Sequence, residues 1–226
     1  MIDERPALHY FQDTLCGWCF GFEPTLTRLY EAWSASLDLH VYAGGMLTGD
    51  RVQPLSTKAE LIASSYRTIE ERCGVTFGER FLTQVLPDGS MVLDSRMPGL
   101  ALLAYRAMHP DAALAAAHWL HQALYRDGLD LNESDTYRRM AIAFDIEPEA
   151  FIAVMTSDQI AAALEDEFSY VQSLGIEGFP TLLLEYNDNV HVLAHGHTPF
   201  EELDMMLQAV LGRRTSGDED ELMRNR

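Results

Sequence analysis

The sequence is poor in positive charge. Its 226 residues contain 16 basic side chains against 35 acidic ones, a formal net charge of −19. Binding to a phosphate backbone requires clustered Lys and Arg, and the chain has no basic run. We therefore expect no nucleic acid partner, and the same negative charge would repel anionic membranes.

The sequence also lacks long apolar runs. No stretch approaches the about 20 apolar residues that span a bilayer, and Met1 to His9, which includes Asp3 and Glu4, has no apolar centre typical of a secretory signal. We expect a cytoplasmic protein that does not enter a membrane.

Cysteine is scarce, and the chain does not need it for stability. A chain of this length buries a sufficient core without disulfides, and an odd count of three cysteines fits a reducing compartment better than a disulfide framework. The cysteines are therefore available for chemistry.

The first 45 residues read as strand, helix and strand. Ala7 to Gln12 is predicted as a buried strand, and apolar residues at three- and four-residue spacing predict a helix from near Cys16 to about Ser36. Leu37 to Tyr42 alternates as a second strand and ends at Gly44-Gly45. If the strands are parallel, this is a βαβ unit.

The middle of the chain is helical in pattern, and strands return near its end. Helical periodicity runs from about Ser56 to Leu174, with Ser157 as an N-cap and Gly175 as a helix stop. Two strands, Thr181 to Tyr186 and Val190 to Ala194, and a helix from Pro199 to Leu211 follow.

These elements predict an α/β fold, with a βαβ part and an αββα part separated by a large helical insertion. The expected boundaries are residues 1–50 for the N-terminal part of the core and 51–156 for the insertion. Residues 157–212 form the C-terminal part of the core, and 213–226 a polar, disordered tail.

The strongest chemical signal is the tetrapeptide Cys16-Gly17-Trp18-Cys19. Cys16 follows a predicted strand and begins a helix, where unpaired backbone N–H groups and the helix dipole stabilise a thiolate. Cys19, one helical turn later, is close enough to attack a mixed disulfide on Cys16. The pattern predicts a nucleophile with its resolving thiol.

Two other interpretations of the cysteine pair stay open. A zinc site commonly uses two such pairs, so Cys73 or a histidine would have to complete it from far away in sequence. The two thiols could also be buried structural groups. We favour the redox interpretation and predict no metal site.

The sequence resembles the thioredoxin superfamily, and within it the DsbA-like branch. Pro24 falls eight residues after Cys16, as in thioredoxin-like helices, and Gly178-Phe179-Pro180-Thr181 precedes a strand, as the cis-proline loop of that family does. The long helical insertion is typical of the DsbA-like group. Asp13 before the cysteines and the later Gly44-Gly45 are similar to its FrnE-like, predicted protein-disulfide-isomerase subgroup.

The resemblance implies roles for residues outside the cysteine pair. Pro180 would be cis and lie beside Cys16, and Phe179 would offer backbone N–H and C=O groups to an extended substrate. Gly17, Trp18 and Gly178 would support the site, with Trp18 as a partly exposed apolar platform. Asp13 either caps the turn or accepts a proton near the cysteines. Tyr10 stands where thioredoxin has a buried acid.

The remaining candidates are weaker. Cys73 is interpreted as a single buried thiol, with a regulatory role as the alternative. His118 and His121 could hold a metal, but solvated or core histidines are favoured. His191, His195 and His197 are interpreted as structural, because no acidic or sulfur partner lies near them in sequence.

These observations predict a thiol–disulfide oxidoreductase or protein disulfide isomerase. It would act on protein or small-molecule thiols and disulfides, with no cofactor beyond its own redox-active disulfide and glutathione as a possible reductant. Gly17 and Trp18 include no cation to stabilise a thiolate, so we expect a less strongly oxidising pair than the type member of the group. The sequence leaves open a monomer or a homodimer.

Two alternative functions stay open. One is a glutathione-dependent transferase or isomerase of the kappa or 2-hydroxychromene-2-carboxylate isomerase type. Those relatives generally have serine where Cys16 stands, which counts against it. The other is a non-catalytic thioredoxin-like module, such as a chaperone or a metal-binding domain.

Overall fold

The N-terminal part of the chain forms a parallel βαβ unit. In a computed structural model, residues 5–212 are described, and they begin with strand β1 (Ala7–Gln12), helix α1 (Gly17–Trp33) and strand β2 (Asp38–Ala43). Strands β1 and β2 pair in parallel, with Ala7 opposite Asp38. The predicted βαβ unit is confirmed, and Pro24 lies inside α1.

Two later strands complete the sheet and bring distant parts of the sequence together. Strand β5 (Thr181–Tyr186) and strand β6 (Asn189–His195) extend the sheet to the order β2-β1-β5-β6. Because β1 and β5 are antiparallel, with Phe11 opposite Thr181, the end of β1 meets the start of β5. The loop that carries Cys16 therefore adjoins the loop that carries Pro180.

Between β2 and β5 the chain is mostly helical, as expected. The helices of this insertion and the one that follows it are α2 (Ala59–Cys73), α3 (Leu86–Asp88), α4 (Arg96–Met108), α5 (Ala113–His121), α6 (Ser134–Ala143), α7 (Pro148–Met155) and α8 (Asp158–Ser173). Wider π-helical turns occupy Phe81–Val85 and Gln122–Arg126. Ser157 caps α8 by accepting a hydrogen bond from the N–H of Ile160, as predicted. Helix α9 (Phe200–Leu211) follows β6.

The insertion departs from an all-helical pattern at one place. Strand β3 (Gln53–Pro54) pairs antiparallel with strand β4 (Val92–Leu93). Sequence periodicity did not predict these strands, because two residues are too few to show the alternation of a half-buried strand.

Two clusters of buried side chains form the core. The larger one packs the four-stranded sheet against α1, α9 and several insertion helices. The smaller one lies beside the cysteines and is rich in aromatic rings; it includes Leu15, Phe20, Phe77, Phe81 and Tyr125. The insertion therefore contributes one wall of the region around Cys16.

Within residues 5–212, no helix has the length and apolar character needed to cross a membrane. The predicted disordered tail, residues 213–226, lies outside the described residues.

Candidate active site

The two cysteines of the tetrapeptide lie at the start of α1. Cys16 has an extended backbone, and its carbonyl oxygen accepts hydrogen bonds from the N–H groups of Cys19 (3.0 Å) and Phe20 (3.2 Å). Both thiols are free. Cys16 is 8% exposed and Cys19 is 0% exposed, so of the two residues only Cys16 has any exposed surface.

The surroundings of the two thiols shift their pKa values in opposite directions. A hydrogen bond from the Cys19 thiol lowers the pKa of Cys16, although burial alone would raise it. The charge of His121 also lowers the pKa of Cys16. Burial, together with repulsion by a Cys16 thiolate, raises the pKa of Cys19 well above its ordinary value. Cys16 is therefore the thiol that ionises at the lower pH, and Cys19 remains protonated beside it.

The loop before β5 contacts Cys16 directly. The Cys16 thiol donates a hydrogen bond to the carbonyl oxygen of Phe179 at 3.2 Å. The Phe179–Pro180 peptide bond is cis. The hydroxyl of Thr181 donates to the carbonyl oxygen of Gly178 at 2.8 Å, which holds the loop in place. The antiparallel pairing of β1 and β5 thus brings the loop backbone to Cys16.

Asp13 makes the hydrogen bonds of a turn cap. Its carboxylate accepts from the N–H of Leu15 at 3.0 Å and from the N–H of Met46 at 2.8 Å. Burial raises the pKa of Asp13, and these hydrogen bonds partly offset the effect. The carboxylate therefore joins the loop before α1 to the loop after β2, which favours the capping role over that of proton acceptor.

The two residues between the cysteines contact different neighbours. Trp18 is half-buried, and its ring centre lies 6.5 Å from that of His197. A Cβ atom on Gly17 would lie 3.2 Å from Cδ1 of Ile69, so the absence of a side chain allows α1 to approach α2 closely. The insertion thereby packs against the start of α1.

A buried acid with two histidines lies next to the site, and sequence reasoning missed it as a unit. Glu23 is 1% exposed. Its carboxylate lies 2.5 Å from Nδ1 of His121 and 2.8 Å from Nδ1 of His118. Nε2 of His121 lies 3.1 Å from the carbonyl oxygen of Asp13. The available signal was an acid four residues after Cys19, on the buried face of α1.

The other candidate residues lie apart from the sulfur pair or at its edge. Nδ1 of His197 is 3.5 Å from the sulfur of Cys73. His197 therefore has a sulfur partner, which is far from it in the sequence. Burial raises the pKa of Cys73 to about 11. His195 contacts the hydroxyl of Thr181 at 3.3 Å. Across the described part of the chain, no three His, Cys, Asp or Glu side chains are grouped so as to hold a metal ion.

Comparison with known proteins identifies related folds. The family model described as "DSBA-like thioredoxin domain" matches residues 7–208. The cytosolic disulfide reductase DsbM from Pseudomonas aeruginosa is 28% identical, with a TM-score of 0.76 over 91% of this chain and 98% of that one. The same reductase is also known in a structure with GSH, at a TM-score of 0.74.

Two more distant proteins share the fold or part of the sequence. A candidate protein disulfide isomerase from Nitrosomonas europaea is 24% identical, with a TM-score of 0.81 over 92% of this chain and 98% of that one. The ClpXP adapter protein SpxH from Halalkalibacterium halodurans is 23% identical over 91% of this chain and 67% of its own length.

Proposed function

The chain belongs to the DSBA-like thioredoxin domain family, and we propose that it is a thiol–disulfide oxidoreductase acting through Cys16 and Cys19. The observation that carries this proposal is the asymmetry of the two thiols. Cys16 has a small exposed area and a lowered pKa, whereas Cys19 is fully buried and has a raised pKa. An incoming disulfide can meet only the first sulfur.

The reaction has two exchange steps. The Cys16 thiolate attacks one sulfur of a substrate disulfide, a mixed disulfide forms, and the other substrate sulfur leaves as a thiolate. Cys19 then gives its proton to the substrate thiolate released in the first step and attacks the sulfur of Cys16. The Cys16–Cys19 disulfide forms, the second substrate thiolate leaves, and the substrate has gained two electrons. Isomerisation would need only the first step and its reversal.

The loop at Phe179 supports binding of an extended polypeptide. The carbonyl oxygen of Phe179 already accepts a hydrogen bond from the Cys16 thiol in the free protein. A substrate strand could pair with this backbone as with a sheet edge, which gives affinity with little dependence on substrate sequence. Trp18, which is half-buried and lies between the two cysteines in sequence, would cover apolar side chains of the substrate.

We propose the reducing direction, with glutathione as electron donor. Two glutathione molecules would reduce the Cys16–Cys19 disulfide and leave as oxidised glutathione, which balances the two electrons given to the substrate. Support comes from the similarity to a cytosolic disulfide reductase that is also known in a structure with GSH. A cytoplasmic location follows as part of the same proposal.

The test is reduction of insulin disulfides with glutathione as the reductant. The wild-type protein should accelerate precipitation of the insulin B chain, and Cys16→Ser should abolish the acceleration. Cys19→Ala should accumulate a mixed disulfide between Cys16 and insulin, detected by mass spectrometry of the intact adduct.

Cys73→Ser is the matched control, since it removes a thiol outside the tetrapeptide. It should retain the wild-type rate. Turnover that survives in Cys16→Ser, or that is lost equally in Cys73→Ser, would contradict the assignment of Cys16 as nucleophile.

A further inference from the structure

The tetrapeptide itself provides no cation, but the fold places one beside it from the helical insertion. We infer that His121 is a positioning residue for disulfide exchange: held by Glu23 and hydrogen-bonded to the Asp13 carbonyl, its imidazolium stabilises the thiolate of Cys16. This inference rests on the proposed function, because it concerns the nucleophile of that reaction.

The hydrogen-bond partners of His121 fix where its protons are. Nε2 lies 3.1 Å from the backbone oxygen of Asp13, which can only accept, so Nε2 carries a proton. Nδ1 lies 2.5 Å from a carboxylate oxygen of Glu23, and a second proton is shared between these two atoms. Burial alone lowers the pKa of His121, but attraction to Glu23 and the two hydrogen bonds raise it overall. These partners favour an imidazolium ring that is ion-paired with the Glu23 carboxylate.

One backbone oxygen connects this imidazolium to the nucleophile. The carbonyl of Asp13 accepts both the N–H of Cys16, at 3.0 Å, and Nε2 of His121. The same hydrogen bonds hold the turn that leads from Asp13 into the start of α1, where the helix dipole already favours a negative sulfur. His121 therefore places the positive end of its ion pair with Glu23 at the end of the helix where Cys16 lies.

Burial makes this charge effective. His121 and Glu23 are 0% and 1% exposed, so solvent screens them weakly. Other groups modify the field: the buried Asp13 carboxyl raises the pKa of Cys16, and Arg126 and His121 each repel a charge on His118. Besides these, the groups that face the cluster are the hydroxyls of Tyr10 and Tyr125.

The experiment measures the Cys16 thiol directly. Alkylation of the reduced protein by iodoacetamide is followed from pH 4 to pH 9, with the Cys16 adduct quantified by mass spectrometry. In His121→Gln, which retains hydrogen-bonding groups but no charge, the apparent pKa of Cys16 should rise by about one unit. Alkylation below that pKa would then be about tenfold slower.

The variant Glu23→Gln distinguishes an effect of Glu23 on Cys16 through His121 from a direct effect of its negative charge on Cys16. If Glu23 acts by holding the imidazolium, its neutralisation should also raise the pKa of Cys16. If its negative charge acted on Cys16 directly, the pKa would fall, which would overturn the inference. His109→Gln, the same change on an exposed histidine at the end of α4, is the control and should match the wild type.

The equilibrium with glutathione gives a second readout. Losing the imidazolium destabilises the reduced form, so the ratio of disulfide to dithiol at a given glutathione poise should increase about tenfold in His121→Gln. This corresponds to a reduction potential lower by about 30 mV. An unchanged ratio in a variant with a native circular dichroism spectrum would contradict the inference.

A measurement on the wild-type protein does not depend on whether the variants fold. Nitrogen-15 chemical shifts of His121 should report an imidazolium at pH 7 in the reduced protein; a neutral ring would overturn the inference. Neither this measurement nor alkylation needs a protein substrate. If the protein does not reduce insulin but His121 still lowers the pKa of Cys16, only the proposed function fails. If the protein reduces insulin but His121 has no effect on the pKa of Cys16, only this inference fails.

Discussion

The ring of Phe179 lies directly against Gly44 and fills the space that a side chain at position 44 would occupy. A Cβ atom added at position 44 would overlap that ring and lie 2.9 Å from the carbonyl oxygen of Gln12. The loop after β2 therefore sets how closely the Phe179 backbone can approach Cys16.

Gly44→Ala should for this reason impair exchange without removing any reacting group. We expect the rate of insulin reduction to fall about tenfold or more, because a displacement of about 1 Å at a reacting centre is costly. The double variant Gly44→Ala/Phe179→Ala removes the ring that the new methyl group meets, and should recover part of the rate. A double variant slower than Gly44→Ala would show that the ring is needed for another reason.

Removing Arg106 from its ion pair with Glu167 should strongly destabilise the protein. Arg106 in α4 donates to the carbonyl oxygen of Val41 at 2.6 Å and pairs with Glu167 in α8, which also accepts from the N–H of Ala43 at 2.7 Å. Arg106→Met leaves the buried carboxylate without its cation. We expect the free energy of unfolding in urea to fall by roughly 2–4 kcal/mol.

Arg138→Met is the matched control for that measurement. Arg138 pairs with Glu149 at 2.8 Å on the surface, where water screens the attraction. The urea midpoint should remain close to that of the wild type. Equal losses in the two variants would contradict the role assigned to burial.

The pairing of His118 with Glu23 predicts a pH dependence of stability. The hydrogen bond with Glu23 raises the pKa of His118 above its ordinary 6.5, although burial opposes this. Between the ordinary and the raised value the folded protein binds more protons than the unfolded chain, so this contribution is complete below pH 6.5 and is lost as pH rises through the raised pKa.

Urea unfolding of the wild type and His118→Gln at a series of pH values tests this. The difference in unfolding free energy between the two proteins should be largest below pH 6.5 and shrink above it. A difference that grows with pH would give the opposite sign and contradict the assignment.

Cys73 should react slowly despite its partial exposure. Burial raises its pKa to about 11, against an ordinary value of 9.0. Two units correspond to an about 100-fold lower thiolate fraction at pH 8. Iodoacetamide should therefore label Cys16 long before Cys73, and labelling of Cys73 should accelerate after unfolding in urea. Equal rates in the folded protein would show that the thiol is ionised by a neighbour.

Much of the site was accessible from local pattern. The bounds of β1 and β5 agree with the sequence prediction residue for residue, because each is a short apolar segment between turn residues. The placement of Cys16 at the junction of a strand and a helix follows from the same local signals. Which strands lie next to each other in the sheet depends on long-range strand pairing, and the periodicity of the sequence gives no information on that.

The role of His121 shows why the rest was inaccessible. The spacing of His118 and His121 placed both on one side of a helix, yet their partner Glu23 lies on α1, about a hundred positions earlier in the chain. The expectation of a less strongly oxidising pair considered only the residues between the cysteines, Gly17 and Trp18. Packing α5 against α1 brings the imidazole to the cysteines.

The sequence by itself determined which atoms are available for exchange, because two thiols one helical turn apart at the start of a helix are a local arrangement. Tertiary structure decided how those thiols are tuned and approached. The antiparallel pairing of β1 and β5 brings Phe179 to Cys16, and the buried Glu23 holds a charged histidine beside it. The physical reason is that burial and long-range pairing set electrostatic energies, and both depend on residues far apart in the chain.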